Sequence, residues 1–262
     1  MRQLELAQYN ILNHADDWNA KARAIAGMLS DRRTAIAFLQ EIPYAHDTEM
    51  CAALSERGYD MTFARLQADR ADRAMLAWDA TRLHRLGDPM TPAGPDMVAA
   101  ILSDDHGMRA VACSMHAPWG ARRQAKRLEA VRRALTVMRE PNDPGAIMLL
   151  CGDLNARPGE PCIRLLSGES VEPEYWTEAQ DTAVLLGRAG HALATTLDGS
   201  HPMAAHTARL VDADPGRIPA RRIDYMFSEG WNHGRRGGWT GDVSLTDTGW
   251  SDHMLMEASI LV

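Results

Sequence analysis

The chain has 262 residues, of which 45% are hydrophobic and 24% charged, and its formal net charge is -7. This length and balance suit a globular protein with a substantial core, and the acidic charge argues against an indiscriminate nucleic-acid binder, whose affinity comes from neutralising phosphates. No run approaches the ~18 apolar residues of a membrane span, and the start MRQLELAQYNIL holds no long apolar segment of the secretory kind.

Leu4 to Leu12 reads as a strand that delivers Asn10 at its end. Trp18, Ala22, Ile25, Ala26 and Leu29 then recur at helical spacing. Thr34 to Gln40 reads as a buried strand with Glu41 after it, and a second helix is expected over Thr48 to Arg57. Tyr59 to Ala64, Ala74 to Trp78 and Met97 to Leu102 are predicted strands, with a Pro-Gly turn from Pro89 to Pro95 between the last two. Arg109 to Met115 is another predicted strand, ending at His116, and Ala121 to Arg139 is the clearest helix, with Leu128, Val131, Leu135 and Met138 on one face. Ala146 to Cys151 reads as a strand and runs directly into GDLNARPG. A helix is expected around Glu178 to Arg188, a long surface loop over Gly190 to Ala220, and late strands over Arg222 to Phe227 and Met254 to Leu261. No repeat or interdomain linker interrupts this alternation, so one α/β domain over residues 1–262 is expected.

The four cysteines, Cys51, Cys113, Cys151 and Cys162, form no CxxC pair. Neither a disulfide framework nor a zinc knuckle is indicated, and a cytoplasmic protein is expected.

Polar residues recur where apolar runs stop, as sites do at strand ends in α/β proteins. In GDLNARPG, Asp153 and Asn155 are two residues apart and share a face of extended backbone, so together they can hold a water and a phosphoryl oxygen; a strand followed by an Asx turn explains the same residues. Glu41 in LQEIP is a hard-cation ligand candidate or a solvated glutamate. In WSDHM, Asp252 can bind metal and His253 can move a proton near neutral pH, or both can lie in a surface turn. Asp224, in RRIDYMF, falls in an apolar run, where a carboxylate is costly unless paired; it either orients a histidine or pairs with Arg221 or Arg222. Asn10 in QYNIL and His116 in SMHAPWG are polar residues at strand ends.

Taken in order (N, QE, H, GDxN, RIDY, SDH), these segments resemble the endonuclease/exonuclease/phosphatase superfamily from Asn10 to His253. That superfamily includes pancreatic-type deoxyribonucleases, abasic-site endonucleases, inositol polyphosphate 5-phosphatases, neutral sphingomyelinases and the deadenylase/nocturnin group. The resemblance implies a deoxyribonuclease I-like four-layer α/β sandwich, with two mainly antiparallel sheets packed face to face and helices outside. It also implies hydrolysis of a phosphate ester by an activated water, assisted by Mg²⁺ or Mn²⁺. Carried over, Glu41 is the main metal ligand, with Asn10 and Asp252 beside it as ligands or supporting groups. Asp153 orients or deprotonates the water, and Asn155 holds the water or a phosphoryl oxygen. His253, oriented by Asp224, contacts the phosphate and transfers a proton; His116 stabilises charge on the phosphoryl oxygens.

The resemblance implies a phosphate-ester substrate, either a small molecule or a nucleic acid; no obligate protein partner is indicated. Arg122, Arg157 and Arg222 are candidate phosphate contacts, set against the reading of Ala121 to Arg139 as a solvated helix face. HTARL, at His206 to Leu210, stands where relatives carry a Thr-rich stretch before RIDY. A phosphoesterase, in first place a phosphodiesterase, acting on a small or lipid-derived phosphoester, a nuclease acting on DNA or RNA, and a catalytically silent binding module with this fold are the three readings to separate.

Overall fold

The computed structural model describes residues 2–68, 70–93, 96–143, 145–170, 180–181, 193–210, 212–229 and 238–262. In chain order the elements are β1 (Gln3–Asn10), α1 (Trp18–Asp31), β2 (Ile36–Pro43), α2 (Asp47–Ser55), β3 (Tyr59–Phe63), β4 (Asp72–Asp79), β5 (His84–Met90), β6 (Asp96–Ser103), β7 (Arg109–His116), α3 (Gln124–Arg139), β8 (Ile147–Asp153), α4 (Pro161–Leu166), β9 (Gln180–Asp181), α5 (Pro202–Leu210), β10 (Asp224–Glu229), β11 (Gly238–Thr246) and β12 (Leu255–Leu261). The strands form two six-stranded sheets, ordered β11-β12-β1-β2-β4-β3 and β5-β6-β7-β8-β10-β9. Each sheet has one parallel pair, β1/β2 in the first and β7/β8 in the second. All other pairs are antiparallel.

Side-chain alternation explains the layers. Along β6, Val98, Ala100 and Leu102 join the core between the sheets, where Leu4, Leu6, Phe38 and Leu76 of the first sheet meet them. Met97 and Ala99 point the other way and pack with α3 and α4. The outer face of the first sheet (Ala7, Tyr9, Leu39) packs with Ile25, Leu29 and Leu54 of α1 and α2. Strands buried on both faces read as continuous apolar runs, which is why β6, β7 and β8 are conspicuous in the sequence. α1 begins where Asp17 accepts from the Ala20 N–H at 2.9 Å, a standard N-terminal cap.

Three expectations need correction. Pro89 lies inside β5, an edge strand whose pairing shifts register between Leu86 and Met90; edge strands and bulges tolerate a proline that a central strand would not. The region expected to be a loop over Gly190 to Ala220 contains α5, whose buried face is carried by Ala204 and Ala208. The segment is only nine residues long and its buried residues are small, so it does not stand out beside α1 and α3. Glu41 is inside β2 rather than after it, at a register break against β4. The helix expected around Glu178 to Arg188 lies mostly outside the described residues; only the short β9 is seen there.

Ser114 of β7 joins the two sheets directly. Its hydroxyl donates to Leu39 O and accepts from Gln40 Nε2, both at 3.1 Å, in a fully buried position. Ser114→Ala leaves the Gln40 amide short of a partner and is expected to cost about 1–3 kcal/mol. A urea titration reads this as a lower midpoint at unchanged slope; an unchanged midpoint would mean the sandwich does not depend on this link.

Candidate active site

The same alternation that builds the core builds the site. On the inward faces the sequence turns from apolar to polar toward one end of the sandwich: Leu4, Leu6, Gln8, Asn10 on β1; Ile36, Phe38, Gln40 on β2; Ala110, Ala112, Ser114, His116 on β7; Leu149, Cys151, Asp153 on β8. Register then brings these ends side by side. Asn10 is opposite Gln40, His116 is opposite Asp153, and Asp153 is opposite Asp224. Gly152 makes the β7/β8 approach possible, because a Cβ there would stand 1.9 Å from Met115 O.

Asp153 is the hub. One carboxylate oxygen accepts from Asn10 Nδ2 at 3.0 Å and the other from the Asn155 N–H at 2.7 Å. The same Asn10 nitrogen donates to Glu41 Oε1 at 2.9 Å, so a single amide ties the two carboxylates together. Asn10 Oδ1 accepts from the Leu12 N–H, and Glu41 Oε2 accepts from the Asn13 N–H. Glu41 has φ +62 and Asn155 has φ +49. Left-handed backbone is unfavourable for a side chain of Glu's size and is typical of residues held for a function. Burial and the neighbouring Asp224 raise the Asp153 pKa above the usual carboxylate range, against the pull of His253 and His116.

His253 stands beside this hub. Its Nδ1 is 2.9 Å from Asp224 Oδ2 and its Nε2 is 3.8 Å from Asp153 Oδ2. Asp224 is fully buried and also accepts from Gln8 Nε2 at 2.8 Å and from the Thr195 hydroxyl at 2.7 Å. A carboxylate with three partners fixes the ring so that Nδ1 carries a proton and Nε2 faces the hub. Burial lowers the His253 pKa, but Asp224, Asp153 and Asp252 outweigh it and hold it well above the ordinary value. Asp224 therefore contacts the histidine, and no ion pair with Arg221 or Arg222 is seen among the described residues.

His116 closes the third side, with Nε2 3.8 Å from Glu41 Oε1 and 3.7 Å from Asp153 Oδ2. Arg70 Nη2 lies 2.8 Å from His116 Nδ1, a contact in which that nitrogen accepts and the ring proton sits on Nε2. Burial and Arg70 oppose the imidazolium, while Asp96, Asp153 and Glu41 favour it and raise the pKa. Protonating Nδ1 would require Arg70 to withdraw onto Asp72 and Asp96, which it already contacts at 2.8 and 3.1 Å.

The donor set suits a hard divalent cation. Glu41, Asp153 and His116 have ligand atoms within 4.8 Å of one another. Asp252 Oδ1 is buried, accepts no hydrogen bond and lies 4.0 Å from His253 Nε2, so it has room for a cation. Asp252 is held close by Ser251, whose hydroxyl donates to Asn10 O at 2.8 Å. Lys21, buried in α1, donates to Leu12 O and His14 O at 2.6 and 2.8 Å and so pins the loop after β1.

Of the sequence candidates, Asn10, Glu41, His116, Asp153, Asn155, Asp224, Asp252 and His253 meet at this end of the sandwich. Arg122 and Arg157 are exposed, whereas Arg222 is buried with its guanidinium 4.8 Å from the Tyr225 ring centroid. Sequence reasoning missed Gln8, Arg70, Asp72, Asp96 and Thr195. Asp72 and Asp96 follow from alternation, since they share a face with Ala74 and Val98. HTARL, which stands where relatives carry a Thr-rich stretch, lies in α5; Thr195 and Thr196 are the residues that reach the site, Thr196 by bridging to His253. The Thr195-Thr196 pair was the available signal.

The model of the endonuclease/exonuclease/phosphatase family matches residues 7–253. Among solved structures, the TDP2 of D. rerio complexed with single-strand DNA product superposes with a TM-score of 0.76 at 16% identity, covering 99% of both chains. The human nocturnin catalytic domain with bound sulfate gives 0.70 at 15% identity, covering 99% of this chain and 93% of that one. An endonuclease/exonuclease/phosphatase from Bacteroides vulgatus gives 0.74 at 14%, covering 100% of both. No curated protein matches the sequence. At these identities the structural likeness establishes the fold: two mixed sheets flanked by helices.

Proposed function

The chain belongs to the endonuclease/exonuclease/phosphatase family, and from that footing we propose that it is a divalent-metal-dependent phosphoesterase that hydrolyses phosphodiesters with an activated water. The observation that carries this reading is the convergence on Asp153: a buried carboxylate within reach of two histidines, tied by one amide to a second carboxylate.

Glu41 and Asp252 would hold Mg²⁺ or Mn²⁺, since an oxygen-rich set favours those ions over structural zinc. When bound, the cation polarises a phosphoryl oxygen and offsets the charge that develops there. Asn10 positions the carboxylates; its own oxygen is engaged by Leu12 N–H. Asp153 takes a proton from the attacking water, and its raised pKa makes it a stronger acceptor than an exposed aspartate. Asn155, whose side chain donates to Ala117 O at 3.1 Å, orients that water or a phosphoryl oxygen. His253, kept protonated by Asp224, and His116 donate to the phosphoryl oxygens, which suits a transition state with spread negative charge; as the water oxygen bonds to phosphorus the P–O bond to the ester oxygen breaks, and that oxygen leaves with a proton from His253. Arg122 and Arg157 are candidates for contacts beyond the reacting phosphate.

The test is a panel of bis-p-nitrophenyl phosphate, p-nitrophenyl phosphate, and single- and double-stranded DNA and RNA, each with Mg²⁺, Mn²⁺ or EDTA. Turnover of the diester that needs metal supports the reading; turnover undiminished by EDTA overturns the metal dependence, and none on any substrate favours a silent binding module.

Metal binding has a readout independent of turnover. A ligand present at a hundred times its Kd stabilises the folded state by about 2.7 kcal/mol, so Mg²⁺ or Mn²⁺ is expected to raise the melting temperature by several degrees. Glu41→Gln removes one anionic ligand and is expected to abolish most of that rise at the same metal concentration. An equal rise in both proteins would place the cation elsewhere.

A further inference from the structure

Trp119 is 64% exposed, the most exposed large apolar side chain described. A single exposed apolar residue needs no explanation as such. What distinguishes Trp119 is how firmly its backbone is held. The guanidinium of Arg127, itself only 2% exposed, donates to Pro118 O at 3.2 Å and to Gly120 O at 2.8 Å, one carbonyl on either side of the indole. Glu160 holds Arg127 in turn, accepting from both Nε and Nη2. One residue earlier, the Ala117 N–H donates to Asp153 O at 2.9 Å and Ala117 O accepts from Asn155. The sequence pattern assigns Arg127 to a solvated helix face; it is instead a buried clamp on the loop that follows His116.

A buried arginine spent on fixing two carbonyls does not stabilise an indole left in water. It does fix the backbone from which that indole projects. Trp119 lies two residues from Ala117, so its Cα is within about 7 Å of the backbone that holds Asn155. The same loop continues into Arg122 and Arg123, and α3 follows with Lys126; all three are exposed and none is in an ion pair or ring contact with a described residue. An aromatic face next to unpaired cations, on a chain whose overall charge is -7, is a local feature suited to a short stretch of bases and phosphates rather than a long duplex.

Resting on the phosphoesterase reading, we infer that the substrate is a nucleotidyl phosphodiester, and that Trp119 stacks on an unpaired nucleobase beside the scissile phosphate while Arg122 and Arg123 meet the next phosphate. Trp119 sets specificity and takes no part in the bond-breaking step.

Two measurements decide this. The first is indole fluorescence titrated with the tetranucleotide dT4 in EDTA, where no hydrolysis occurs. Wild type is expected to be quenched, and Trp119→Ala to bind about tenfold more weakly and lose the quench, with Trp119→Phe in between. The second compares thymidine 5′-(p-nitrophenyl phosphate) with methyl p-nitrophenyl phosphate under Mg²⁺ or Mn²⁺. Trp119→Ala is expected to raise KM for the thymidine ester about tenfold relative to the methyl ester. Equal dT4 binding by wild type and Trp119→Ala, no binding by wild type, or equal losses on both esters overturns the proposal, the last because it marks a merely structural role. If neither ester is hydrolysed, the phosphoesterase reading fails while the titration still decides the stacking site.

Discussion

Asp153→Asn is expected to lower kcat on a diester substrate by roughly 10³-fold and to leave the protein folded. The change is nearly isosteric, so the packing at the end of β8 survives. The side chain loses its charge and with it the ability to take a proton from water. It also loses one hydrogen-bond acceptor: Asp153 uses both oxygens, one for Asn10 and one for the Asn155 N–H. An asparagine can serve only one of them, and a donor is left facing a donor at a cost of about 1–3 kcal/mol. Relief of the repulsion between Asp153 and Asp224 offsets part of this. Steady-state kinetics alongside a urea titration separates the two effects. A kcat within a few-fold of wild type, in a folded variant, would remove Asp153 from the role of base and leave it a positioning residue.

The second large effect is expected at Asp224. Replacing it with alanine strips three buried partners at once: the His253 ring, the Gln8 amide and the Thr195 hydroxyl. The charged ring is the costly one. Removing one member of a buried ion pair destabilises by about 3–5 kcal/mol, so Asp224→Ala is expected to lower the urea midpoint sharply and to reduce kcat together with it. Asp224→Asn is the informative companion, because it keeps the size and some of the hydrogen bonds while withdrawing the charge that holds His253 protonated. It is expected to retain most of the stability yet lose about 10²-fold or more in kcat. Stability and turnover falling in step across both variants would reduce Asp224 to a structural residue.

The difference between what the sequence announced and what it concealed lies in how each signal is carried. β6, β7 and β8 were legible because both of their faces are buried, so apolar residues run without interruption. β5 was not, since it is an exposed edge strand with a proline near its end. α5 is inconspicuous because it spans only nine residues and its buried residues are small. Among site residues, Asp153, Glu41 and His253 stood out where apolar runs stop, whereas Thr195 sits in a stretch with no such run to mark it. In the sequence Arg127 is one more charge on a basic helix; only its contacts with Pro118, Gly120 and Glu160 show that it faces inward.

Sequence alone determined the chemistry-bearing residue types, their order along the chain and the alternation that assigns each to a sheet face, because these are local properties of neighbouring residues. The motif order also carried the family resemblance, and with it the four-layer architecture. Only the tertiary structure decided which groups touch. Residues 143 positions apart, Asn10 and Asp153, meet at 3.0 Å because two separately built sheets pack with their polar ends aligned. Asp224 reaches His253 rather than a neighbouring arginine because β10 lies beside β8 and the chain returns to it through Thr196. Such pairings depend on strand register and sheet packing, which are settled by the burial of the whole core and cannot be read from any one segment.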